Sequence, residues 1–214
     1  MTAQELIDTY RSSPNEQTAK DLSTHFQFES VIQDDIPADS NFEFRTDVVN
    51  ELLDSFSLAD ILLIRSLFKE EVNCDRATWG HANLYQLCFY LYSLGQLEDT
   101  FILYDAKYNA LNMDTGTMLD RESITVGHEI EEVIAYVEAR FEKEPAFMDQ
   151  YPNILADLKD LQLNPDYDSV ATYSKFIKGY FFGHEEISSP KNTSLQKDSQ
   201  ATQSNTPKPW WKFW

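Results

Sequence analysis

A chain of 214 residues, 42% of them apolar, can bury one sizeable core, and its 6 glycines and 8 prolines favour helices over a many-stranded sheet. The formal charge of −19 is uneven: four lysines and one aspartate beyond residue 186 make that end basic, leaving 13 basic and 35 acidic side chains, a charge of −22, on residues 1–186. A body this negative repels nucleic-acid backbones and attracts cationic proteins, so a basic protein partner is expected and nucleic acid is not.

Thr2 followed by Glu5 is a capping-box signature, and Leu6, Ile7 and Tyr10 recur at helical spacing, so a first helix begins there. Pro14 restarts the chain, a second helix is expected over roughly 15–32, and "DDIPADSN" reads as a turn-rich break. Thr46 and Asp47 can cap a helix carrying Val48, Val49, Leu52 and Leu53. Ser57 can cap the next, with Ile61, Leu62, Ile64, Leu67 and Phe68 on its apolar face. Leu84, Leu87, Cys88 and Leu91 form one stripe and Leu97, Phe101 and Tyr104 another, with Gly95 between them as the natural helix stop. A long helix over Arg121 to Phe141, interrupted at Gly127, ends before Pro145, and further helices are expected near 153–162 and 166–182.

From Ser188 the composition turns to Ser, Thr, Gln, Asn, Lys and Pro, which cannot bury enough apolar surface to offset ordering entropy. The expected organisation is an acidic all-helical domain over 1–186, a disordered polar linker over 187–209 and an aromatic terminal motif over 210–214. The fold class is all-α, of stacked antiparallel helix hairpins with a disordered C-terminal tail. Cys74 and Cys88 lack CxxC spacing and read as buried thiols of a reducing compartment. With neither a signal-like N-terminus nor a run of ~20 apolar residues, the expected address is the cytoplasm.

The segment "LCFYLYSLGQLEDTFILYDAK" resembles one helix pair of the tetratricopeptide repeat, whose period is about 34 residues. Leu87 and Cys88 fall where that family has Leu-Gly, and Leu97 and Tyr104 fall on its second-helix core positions, whereas Thr100 replaces its small Ala. Leu97-Glu98-Asp99 and Ala106 are echoed by Ile130-Glu131-Glu132 and Ala139. The same segment with "LNMDTG" is similar to uncharacterised bacterial proteins that share an LG-x-[IVL]-ED core. Some of these look like immunity partners of secreted toxins, which is the role the resemblance implies.

Several chemistries find no support in the residue patterns. Asp114-Thr115-Gly116 spells the aspartic-protease triplet but has no second copy, and it reads as a turn between helices. His25, His81, His128 and His184 are scattered without HExxH spacing, and neither GxGxxG nor GxxxxGK[ST] occurs. No metal, cofactor or catalytic set is therefore expected.

Two recognition surfaces remain. Trp79 and Tyr85, rimmed by Glu98, Asp99, Asp105, Glu131 and Glu132, could grip a basic protein, although the same aromatics also suit a large core. Lys208, Trp210, Trp211, Lys212, Phe213 and Trp214 combine the residue types of a membrane interface with those of a groove-docking peptide. The favoured reading is a non-enzymatic interaction module of toxin-immunity type. The alternatives are a scaffold held peripherally at the inner face of a membrane by its WWKFW end, and an enzyme of unrecognised type.

Overall fold

The computed structural model describes residues 1–78, 80 and 82–183. Trp79, His81, His184 and the tail with Lys208, Trp210, Trp211, Lys212, Phe213 and Trp214 lie outside the described residues. Eleven α-helices and one two-stranded hairpin make up the regular structure among those described, so the fold is all-α. No described helix is long and apolar enough to cross a membrane.

Helix α1 (Ala3–Ser12) starts as its sequence dictates, with the Thr2 Oγ1 accepting from the Glu5 N–H and the Glu5 carboxylate accepting from the Thr2 N–H. Helix α2 (Glu16–Ser23) is capped by Asn15, but it stops well short of residue 32. The chain instead forms strands β1 (Ser30–Gln33) and β2 (Ile36–Asp39), paired antiparallel. Val31 and Ile32 favour extended backbone, and Asp34 and Asp35, at φ +51° and +64°, supply the two left-handed positions of a tight hairpin turn. The expected second helix is thus cut to its first half.

Helix α3 (Phe42–Leu52) begins four residues before the expected Thr46 cap, because Arg45 is needed inside the fold. Its guanidinium is fully buried and donates to Glu71 Oε2 at 2.6 Å, Asp39 Oδ2 at 2.6 Å and the Phe26 carbonyl at 3.0 Å. Burial alone would raise the Asp39 carboxyl, but the Glu29 N–H and Arg45 hold it below its ordinary value. This cluster ties the hairpin to α3 and to α4 (Ile61–Thr78). Ser57 and Asp60 prepare the start of α4, the Ser57 N–H donating to Asp60 Oδ2 at 2.9 Å, and Arg11 pairs with Asp60 at 2.8 Å.

Helices α4 and α5 (Leu84–Leu94) run antiparallel. Asn83, at the start of α5, donates to Glu71, whereas Glu98 and Asp99, just past its end, reach back to Arg65 earlier on α4. Gly95 ends α5 in the left-handed conformation at φ +65°. Helix α6 (Asp99–Tyr108) follows, and the protease-like triplet lies inside a short helix, α7 (Met113–Met118), correcting the expected turn. The expected long helix also divides. A 3-10 turn spans Arg121–Thr125, Val126 and Gly127 take positive φ, and only then does α8 (Ile130–Lys143) begin. A Cβ on Gly127 would lie 3.0 Å from the Tyr92 carbonyl, so backbone approaches backbone there.

Helices α9 (Ala146–Gln150), α10 (Ile154–Leu163) and α11 (Val170–Phe182) complete the described chain. Gln162 of α10 bonds Glu131 near the start of α8, and Lys159 pairs with Glu138 further along it, so these two helices are also antiparallel. One apolar cluster runs from Leu6 and Phe26 through Leu67, Phe89 and Leu91 to Val133, Leu158 and Ile177. Cys74 and Cys88 are buried free thiols. Much of the aromatic surplus is core: Phe89 stacks on Phe181 at 4.6 Å, and the Tyr90 hydroxyl donates to the Val49 carbonyl at 2.7 Å.

Candidate functional site

The chain gathers its unspent polarity where the 3-10 turn, the start of α8 and the loop from α10 to α11 meet. Asp120, just before that turn, accepts from the Tyr85 hydroxyl at 2.7 Å and the Tyr173 hydroxyl at 3.1 Å on the same oxygen. Burial, reinforced by the Asp120 charge, pushes both phenols well above their ordinary range. They stay protonated at neutral pH and donate to Asp120, which makes this trio an anchor between α5 and α11.

Two residues on, Glu122 is only 7% exposed. Its Oε1 accepts from the Asp166 N–H at 2.8 Å, while its buried Oε2 has no hydrogen-bond partner. Burial raises this carboxyl above its ordinary value, with Asp166 and Asp120 adding to the rise and two backbone N–H groups opposing it. Glu122 lines a cavity of about 190 Å³ whose walls include Tyr92, Tyr167 and Tyr173. The Tyr92 and Tyr173 rings meet edge to face at 4.9 Å, and Tyr167 lies 5.0 Å from Tyr173. Ile130, Leu161 and Val170 supply apolar wall, and Glu129, Glu131 and Asp168 stand at the rim.

The sequence-derived contact residues do not share one environment. Asp99 is 2% exposed and is held by Arg65 at 2.7 Å, so its carboxylate is committed within the fold. Glu98 also bonds Arg65, at 2.9 Å, yet remains at the surface. Glu132 is exposed and bonds His128 at 3.2 Å, while His128 bonds the Gly95 carbonyl at 2.9 Å, bringing the start of α8 to the end of α5. Glu131 is exposed and bonds Gln162 at 2.8 Å beside the cavity. Asp105 lies elsewhere, accepting from the Tyr151 hydroxyl at 3.1 Å, and half-buried Tyr85 is occupied by Asp120. Trp79 is outside the described residues.

Sequence reasoning overlooked Asp120 and Glu122, because "DTGTMLDRES" is short and polar and Glu122, in the first turn of the expected Arg121–Phe141 helix, reads as a solvated charge. The available signal was the pair of β-branched apolar residues Ile124 and Val126 in "SITVGHE", which suits a segment pulled inside. Among the described residues no group of three or more His, Cys, Asp and Glu side chains is placed to hold a metal ion. No protein-family model matches the chain, and no curated protein or solved structure matches it significantly. Geometry and charge therefore have to speak for function.

Proposed function

We propose that the chain is a non-enzymatic interaction module, an acidic helical binder of a basic protein, acting in the manner of a toxin-immunity protein. The observation that carries this reading is the charge of −22 over residues 1–186, a surplus of carboxylates that the chain's own cations cannot balance. Surface carboxylates at Glu98, Glu131 and Glu132, close to the ends of α5 and α8, give that charge a locus. Such a field steers a cationic partner and accelerates encounter more than it deepens final affinity.

The test is capture of a partner from the native cell, followed by kinetics of the purified pair. Raising NaCl from about 0.05 to about 0.5 M shortens the screening length severalfold and slows association. Reversing Glu131 and Glu132 to Lys lowers the on-rate by about tenfold, together with a small fall in Tm from placing cations in the first turn of α8. A captured partner that is not basic, or an on-rate indifferent to both changes, overturns the reading, as does a turnover that depends on side chains of the helical body.

The composition of the tail favours a second contact, with lipid. Deleting residues 207–214 is expected to abolish vesicle pelleting and leave helicity unchanged, whereas unchanged pelleting rejects that contact.

A further inference from the structure

Five buried side-chain polar atoms lack a partner among the described residues, and Glu122 Oε2 is the one that belongs to the carboxylate of a cavity-lining residue. Every other feature of that cavity narrows what could satisfy it. An anion is disfavoured although the first turns of α8 and α11 face the rim, because Glu129, Glu131 and Asp168 already place negative charge at those helix ends. A bare metal ion would want several oxygen ligands in one shell, and no such group is assembled among the described residues. At about 190 Å³ the space falls below the ~300–1,000 Å³ usual for cofactor-sized ligands.

What fits is a cation on an apolar stem. Ile130, Leu161 and Val170 match a methylene chain, the faces of the tyrosine rings in the wall attract a cation, and Glu122 lines the same cavity. Oε2 is sealed from solvent in the unliganded chain, but the terminal torsion of a glutamate is soft and broadly two-fold, so a small turn presents it to an entering group.

We propose that this cavity is the receptor for a lysine or arginine side chain of the basic partner, its ammonium or guanidinium accepted by Glu122. The assignment rests on the interaction reading above and adds to it the seat of one anchoring side chain. A free alkylamine shares the same chemistry, so the experiment separates the two sources.

The full chain, labelled with nitrogen-15, is titrated with n-butylammonium chloride, with 1-butanol and with NaCl, and then with a blocked tripeptide carrying lysine or norleucine at its centre. The expected result is saturable shifts of the Thr125, Ile130 and Val170 amides with butylammonium and the lysine peptide, and none with butanol or the norleucine peptide. Glu122→Gln weakens both by about tenfold or more, as loss of one charge-assisted hydrogen bond requires. Should that variant misfold, Tyr167→Leu, at a half-buried position, serves in its place and weakens binding by removing an aromatic wall. Absence of saturation, equal response to butanol, or undiminished binding by the variants overturns the site. Binding of butylammonium without the lysine peptide overturns the partner side chain as occupant. Partner capture that is salt-sensitive yet indifferent to Glu122→Gln overturns the cavity while leaving the interaction reading intact.

Discussion

Arg45 is the largest fully buried side chain among the described residues, and its position sets the terms for the hairpin end of the molecule. A buried ion pair is weak evidence of net stability, because both charges lose their water, but breaking one is severe. Arg45→Met keeps much of the volume and leaves Asp39 and Glu71 unpaired, so urea denaturation should register a loss of about 3–5 kcal/mol. Adding Asp39→Asn and Glu71→Gln should recover much of that loss. Glu122 gives the opposite sign. Its folded-state carboxyl titrates above the unfolded value, so ionisation opposes folding, and stability attributable to this group falls as pH rises through the raised value. Glu122→Gln keeps an acceptor for the Asp166 N–H, so it should stabilise the unliganded chain at pH 8 and lose that advantage toward pH 4, read as Tm differences. Neither residue announced itself in the sequence. An Arg in "FEFRTD" and a Glu in "LDRES" look like solvated charges, and only the fold brings Asp39, Glu71 and Asp166 to them.

Among the elements, those with local chemistry at their ends were readable. The Thr2 cap and the Gly95 stop both act within one turn of helix, and α1 and α5 begin or end where those residues dictate. Gly95→Ala forces an L side chain into the left-handed region and should cost about 1–2 kcal/mol, although the new Cβ would meet only ordinary contacts at 3.6 Å and beyond. Elements whose identity depends on distant partners were misread. The second half of the expected 15–32 helix becomes a turn and loop leading into β1, because pairing with β2 and the Arg45 clamp on Asp39 outweigh local helical spacing. The helix expected from Arg121 breaks because Val126 and Gly127 turn against Tyr92 and Gly95, contacts more than 30 residues away in sequence. The hairpin turn offers a direct check: replacing Asp34-Asp35 by Asn-Gly, the pair best suited to its two positive φ angles, should stabilise by about 0.5–2 kcal/mol.

At the scale of the whole molecule, self-repulsion among 36 acidic and 17 basic groups opposes compaction at low ionic strength. Added NaCl should therefore raise Tm, by about 2–4 °C for each kcal/mol of repulsion relieved. A flat response would indicate that the surface carboxylates are locally compensated. The all-helical class was legible because few glycines, long apolar stripes and helix-ending residues agreed with one another. The candidate site was less so. Composition foretold an acidic surface, but the carboxylate left without a partner becomes visible only when the 3-10 turn, α8 and the loop before α11 close around it.

The two cysteines turn this fold into its own recorder of motion. Burial suppresses thiolate formation at both, raising Cys74 to about 11 and Cys88 further still, and each lies on a different helix. Iodoacetamide can alkylate each sulfur only during the moments when its own surroundings part. Mass spectra of timed quenches should show Cys74, near the end of α4, tagged sooner than Cys88, and the interval between them measures how far the hairpin side loosens before the centre gives way.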